Sequence, residues 1–283
     1  KPSDGSGTGS ALAISAGIDL KGMDIIPRHP LTVRDCGFHI PFDVLGSGGR
    51  IRRENGDDVG PEEALEGEPC VLDLRQMDAD AKVWFSQTSM RIMDRLGIDI
   101  SKDVIPLSPG VAYTTGGAPS DAKGRVIFQG YTKEGLPAEL WHTGLYAAGR
   151  SAYTGMHGFS ALPGNLLLDD LVSGKASGEH ASEWVKEIKF GGNTQIENAV
   201  KEQSDRISSM MGGDGMTVAK FHSKLTSAIS SGPSAEASLA GVRGIKDTGI
   251  RLSDTSSVMN TEMVEALRLV GLASVAEAIL ASG

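Results

Sequence analysis

The sequence predicts a fold that is part α/β and part α+β and ends in a helical domain, and three observations predict it. Gly144-Leu-Tyr-Ala-Ala-Gly-Arg-Ser-Ala-Tyr-Thr-Gly-Met-His-Gly-Phe-Ser-Ala-Leu-Pro-Gly-Asn-Leu-Leu-Leu-Asp169 reads as a short buried strand, a glycine-rich turn and a helix start. That is how α/β folds bring backbone N–H groups up to a cofactor. Residues 21–75 are rich in Gly, Pro and short β-like runs, as in an α+β segment. The last hundred residues carry helical patterns between Gly/Ser breaks.

The elements follow in chain order. Gly5-Ser-Gly-Thr-Gly-Ser10 precedes the apolar helix-like run Ala11–Ile18. As a phosphate loop this pattern is weak, because it lacks a clear preceding strand and an acidic residue about 20 positions on. Phe38-His-Ile and Gly49-Arg-Ile-Arg read as strands, Arg52-Arg53 beside Glu54 as a solvated charged turn, and Asn55 to Glu68 as a flexible loop. Val83, Trp84, Met90, Ile92, Met93 and Leu96 recur at helical spacing and predict one amphipathic helix over 79–96, stopped by Gly97. Val104 to Pro119 is extended and proline-punctuated. Gly124–Gln129 and Leu140–Ala148 are strand candidates, and Asn165–His180 is helical. Near the end, Met259, Met263, Leu267 and Val270 form a packing stripe, and Ser274 is expected to cap a further helix through Ile279.

Composition narrows the class. The chain has 283 residues, 40% hydrophobic and 22% charged, which fits a globular protein, and its net charge of -9 argues against nucleic-acid binding. Cys36 and Cys70 are too few for a disulfide framework, an iron–sulfur cluster or a zinc site, so no metal and a reducing, cytoplasmic location are expected. No apolar run approaches the roughly 18 residues of a membrane span, and no signal-peptide core is visible. A start without Met, at once in a Gly/Ser loop, reads as a start inside a longer natural chain.

Gly144–Asp169, Asp99–Pro119, the spacing from His29-Pro30 to Gly46-Ser-Gly-Gly49, and Val258–Leu267 together resemble, in order, the succinate dehydrogenase and fumarate reductase flavoprotein family. The resemblance implies the returning half of a split FAD-binding domain, with an α+β capping domain and a C-terminal helical domain. Residues 1–20 would end one FAD-binding segment, 21–118 form the cap, 119–185 the return and 186–283 the helical domain. It implies FAD as cofactor and hydride transfer between a dicarboxylate and flavin N5. The partner would be an iron–sulfur or other electron-transfer subunit, so the chain could sit peripherally on a membrane complex. His29 and His157 become candidate catalytic residues. Gly149, Arg150, Gly164, Asn165, Leu166 and Leu167 become candidate flavin contacts.

The departures are systematic. The family's Thr-Glu pair falls on Pro41-Phe42, a histidine on Ala112, its catalytic arginine on Ala161, its ribityl-binding glutamate on Arg150, and its Thr-Gly-Asp-Gly turn on Ser6-Gly-Thr-Gly9. A dicarboxylate needs cations and hydroxyl donors, and its carbon proton a positioned acid or base. The expected function is therefore an FAD-dependent oxidoreductase subunit whose substrate is neither succinate nor fumarate, with an apolar, enlarged pocket at Phe42, Ala112 and Ala161. The alternative is a non-catalytic structural or docking subunit of a redox complex. On that reading Gly144–Asp169 keeps its shape for the fold alone, His29 is a hydrogen-bonded loop residue and Arg150 a salt-bridge partner.

Overall fold

The computed structural model describes residues 7–162, 164–189 and 192–282. The chain divides into two compact units, one over 26–113 and the other formed by the preceding segment together with residues from 114 onward. The expected return and helical domains thus share one unit, and Gly5 and Ser6 of the first glycine turn lie outside the described residues.

In the first unit an antiparallel sheet runs Asp58–Val59, Arg50–Arg53, Cys70–Asp73, Ile105–Leu107. Its register puts Ile51 opposite Leu72 and Leu72 opposite Ile105. These three residues are buried in a core with Leu31, Val33, Ile40 and Phe85. Asn55–Glu68 is not a flexible loop, since it holds the Asp58–Val59 strand and the Pro61–Ala64 helix. Nor is Arg52 on a solvated turn, because it spans Asp58 and the buried Asp73, each at 2.8 Å. The sheet forms here because Arg52 and Arg53 place their charges on carboxylates while Ile51 goes inward.

The helix expected over 79–96 is two helices, Ala79–Trp84 and Ser86–Leu96. Asp78 caps the first through the Ala81 N–H at 2.7 Å. Phe85 breaks the run by turning into the core, which leaves Val83, Trp84 and Met90 exposed, whereas Ile92 is buried as expected. Gly97 stops the helix in the left-handed region at φ 69°, as its position predicts.

In the second unit Arg125–Tyr131 and Pro137–Tyr146 form an antiparallel hairpin with an irregularity between Arg125 and Ile127. The strand ahead of the Gly149 turn is consequently half-buried rather than buried. Trp141, Tyr146, His180 and Trp184 pack edge-on against its inner side, and Tyr146 Oη lies 2.8 Å from His180 Nδ1. A short parallel pairing of Ala152–Tyr153 with Ala118–Pro119 brings the glycine turn beside the extended 114–119 segment. The helix expected over 165–180 runs Asn165–Glu187.

The C-terminal helices are Asn193–Gly212, Val218–Ser230, Ala235–Thr248 and Thr261–Ser282. They close around Phe221, Leu225, Val242, Leu269 and Ala273. Thr8–Ser15 packs on the last helix, where a Cβ on Gly271 would stand 3.1 Å from Ala11. Ser274 caps nothing: the helix is continuous through it, and its hydroxyl donates back to the Val270 carbonyl. Met259 lies outside the helix at φ 54° and is exposed, so the stripe begins at Met263. Asn260, buried, accepts from the Met263 N–H at 2.7 Å and starts the helix instead.

Candidate functional site

Two places carry chemistry, one in each unit. In the second unit the start of the Asn165–Glu187 helix meets the 149–158 turn. Gly164 enters the helix in the left-handed region, with no side-chain cap and no acidic residue in the first turn. Such a terminus presents N–H groups and a positive dipole end.

One face of the helix then holds the turn in place. Ser173 Oγ accepts from the Gly149 N–H at 2.8 Å and donates to the Asp169 carbonyl. Asp170 accepts from the Arg150 N–H at 3.3 Å, and its carboxylate lies 3.7 Å from the Arg150 guanidinium. Gly149 has φ 54°, and a Cβ there would overlap Asp170, so only glycine lets the turn come this close. His157 Nε2 lies 3.3 Å from Asp169 Oδ2, with both side chains mostly shielded from solvent.

These contacts shape a cleft lined by Thr114, Thr115, Gly149, Arg150, His157, Leu166 and Asp169. Of the expected flavin contacts, Gly149, Arg150 and Leu166 share one cleft with the candidate catalytic His157. Gly164 and Asn165 sit at the helix start outside its lining, while Leu167 points outward and is exposed. Arg150 carries an exposed ion pair. Asp169, Asp170, Ser173 and the two threonines escape a reading of the sequence. The His157–Asp169 spacing belongs to no local motif, and a strand–turn–helix pattern does not tell which helix face meets the turn.

The other place is in the first unit. Arg28–His29 pairs antiparallel with Gly110–Val111, His29 opposite Gly110. Thr32 Oγ1 donates to the His29 carbonyl at 2.7 Å and lies 2.8 Å from His39 Nδ1. One hydroxyl hydrogen cannot serve both, so His39 Nδ1 is the donor to Thr32. The His29 ring packs tilted against His39 and Phe42, with centroids 5.0 Å and 4.8 Å away, and its buried Nδ1 has no hydrogen-bond partner among the described residues. Burial first, and the His39 charge second, lower its pKa to about 4. His29 is thus a neutral imidazole near neutral pH. Phe42 is partly exposed, and Ala112 and Ala161 are half-buried, the last in the other unit.

Among the described residues no cluster of His, Cys, Asp or Glu is arranged to hold a metal, and no helix is long and apolar enough to cross a membrane. Cys36 and Cys70 are both free.

A family model described as FAD binding domain matches residues 2–167. The succinate dehydrogenase flavoprotein subunit of Rickettsia conorii is 27% identical over 94% of this chain and 50% of its own length. The fumarate reductase flavoprotein subunit of Mycobacterium tuberculosis is 25% identical over 98% of this chain and 54% of its own length. Quinol fumarate reductase of Escherichia coli superposes with a TM-score of 0.84 at 21% identity, over 98% of this chain and 53% of that one. The chain spans about half the length of the curated relatives it matches.

Proposed function

The chain belongs to the FAD binding domain family, and on that premise we propose that it forms one wall of the flavin site in an oxidoreductase subunit that does not act on succinate or fumarate. FAD is the cofactor of this family. When bound, it supplies the site of hydride exchange; this chain's residues position and shield it. The observation that carries the reading is the convergence of His157, Arg150, Thr114, Thr115 and Leu166 on one cleft. That donor set of hydroxyls, a guanidinium and an imidazole fits an electron-rich, hydrogen-bonding ring system, with the Asp169 carboxylate of the lining set against His157. Asp169 holds His157 in place from within the lining, and Gly149 lets the turn lie against the helix.

The substrate follows from what stands at the replaced positions. In the first unit, the Phe42 and Ala112 side chains provide neither cation nor donor, and His29, whose ring packs against Phe42, is uncharged near neutral pH. A pair of carboxylates bound there would lack charge-assisted partners, at a cost of several kcal/mol, about 2–7 for each unpaired polar group. The site suits a bulkier, less charged ligand. Electrons would pass to or from an iron–sulfur or other electron-transfer subunit, with the protein peripheral to a membrane complex on its cytoplasmic side.

An absorbance titration of the purified protein with FAD tests the reading. Saturable flavin bands are expected, with affinity lowered about tenfold in His157→Ala, the loss of one to two hydrogen bonds at about 1 kcal/mol each. Absence of flavin bands at saturating FAD would sink it, and turnover of succinate or fumarate by the holoprotein would sink the substrate part. The second reading, a non-catalytic docking subunit, is favoured by one observation: Gly149 and Arg150 spend their donors on Ser173 and Asp170. Co-purification with electron-carrier subunits while no flavin is held would select it.

A further inference from the structure

The Thr8–Ser15 and Thr261–Ser282 helices meet at Ala11 and Gly271 and leave a groove of about 480 Å³ along their contact, which the Asn193–Gly212 helix borders with Arg206. It shares no lining residue with the candidate flavin cleft. The walls are aliphatic, with Leu12 and Ile14 on one helix and Val264, Leu267 and Val270 on the other. Leu12 and Val264 are each 63% exposed, so both helices leave apolar side chains in water at a free-energy cost. The volume lies within the roughly 300–1,000 Å³ of small-molecule sites.

Charge selects the occupant. Arg206 and Arg268 both line the groove, in a chain whose net charge is -9, and no carboxylate lines it. Arg268 Nη1 donates to Glu265, outside the lining, at 3.3 Å, whereas no carboxylate among the described residues pairs with Arg206. One positive charge is therefore left to be matched. Ser15 and Ser274 donate their hydroxyl hydrogens to the carbonyls of Leu12 and Val270, which leaves the guanidiniums to hold an anion. A guanidinium meets a carboxylate with two parallel N–H donors and stays charged beside apolar walls. We propose that this groove binds an aliphatic monocarboxylate, its hydrocarbon body between Leu12, Val264 and Leu267 and its carboxylate on Arg206 and Arg268. A second carboxylate on the ligand would find no cation among the aliphatic walls, and a neutral alcohol would leave Arg206 unmatched. Binding would tie the first helix to the last and stabilise that packing by mass action. The inference goes beyond the flavin reading and does not depend on it.

Calorimetric titration of the full-length protein, freed of lipid, with octanoate tests the assignment. Saturable binding of octanoate is expected, about tenfold tighter than that of 1-octanol or octanedioate, as the loss of a charge-assisted hydrogen bond implies. Absence of saturable octanoate binding, or equal or tighter binding of 1-octanol, octanedioate or octyl phosphate, overturns the proposal. Arg206→Gln, at an exposed side chain, is expected to weaken octanoate about tenfold and to leave 1-octanol unchanged. Lys201→Gln, on the same helix but outside the lining, is expected to change neither. Equal losses in the two variants would assign the effect to the general charge of that helix and overturn the site. Amide hydrogen exchange gives its position: octanoate is expected to slow exchange over 8–15 and 264–274, and slowing confined to 149–158 overturns it. Val264→Asp, also exposed, is expected to abolish octanoate binding with the far-ultraviolet circular dichroism unchanged, and retained binding in this variant overturns the groove as the site.

Discussion

The two units differ in how far each finishes its own core. Around Leu72 the first unit buries Leu31, Ile40, Ile51, Val44 and Ile105 almost completely. Around the glycine turn of the second unit the buried cluster is small, consisting of Ala13, Ile18, Ala118 and Val126, and the neighbouring helix turns its leucines outward. A region that encloses its apolar side chains draws its stability from itself. One that leaves them in water depends on what covers them. The first unit encloses its own apolar side chains, and the helix beside the glycine turn leaves its leucines exposed.

Paired leucine truncations give the largest contrast. Leu72→Ala on the central strand is expected to destabilise its unit by about 3 kcal/mol, since it empties a fully buried position. Leu171→Ala is expected to change the stability of the purified chain by less than about 0.5 kcal/mol. Denaturant melts measure both, and equal losses would break the contrast.

An effect of up to about 2 kcal/mol is expected from pH. The Arg75 hydrogen bonds, then the Arg75 and Arg52 charges, hold Asp73 at a pKa of about 2 against the opposing push of burial. A lowered carboxylate stabilises the fold above its unfolded value near 3.8, and that contribution is lost as pH falls through about 2. His29 acts in the same direction at higher pH. Its neutral form costs nothing above 6.5, and the unfolded chain takes up the proton first as pH falls towards about 4. Acid melts of the wild type, Asp73→Asn and His29→Gln should separate the two ranges. A flat profile between pH 6.5 and 4 in the wild type would refute the His29 part.

Gly149→Ala tests the glycine turn at a cost of about 1–2 kcal/mol, from a positive φ and an overlap with Asp170. Faster amide hydrogen exchange over 149–158, with exchange in the first unit unchanged, is the expected outcome. Uniformly faster exchange would show that the turn supports the whole molecule.

Much of the fold is legible in the residues themselves. Gly97 ends its helix where a left-handed glycine must, and Gly149 turns the chain where only a glycine can meet Asp170. The failures have physical causes as well. Phe85 carries the same apolar signal whether it continues a helix or breaks it to enter a core, so the 79–96 pattern looks continuous. Ser274 resembles a cap but lies in a run of small residues where its hydroxyl is satisfied by Val270. In the site, Gly149, Arg150, His157 and Leu166 come from a readable strand–turn–helix pattern. Asp169, Asp170 and Ser173 do not, because helical periodicity assigns the leucine face to the interior and here the polar face goes inward.

The sequence by itself determined the mixed architecture, the glycine turn and the helix that follows, because turn stereochemistry and apolar periodicity are local properties. It also determined that Pro41, Phe42, Ala112 and Ala161 cannot offer charge to a ligand. Only the tertiary structure decided that His157 is held by Asp169, that His29 packs against Phe42 and His39, and which face of the Asn165 helix is outward. Those are contacts between residues distant along the chain, and a contact that depends on how two elements pack leaves no local trace.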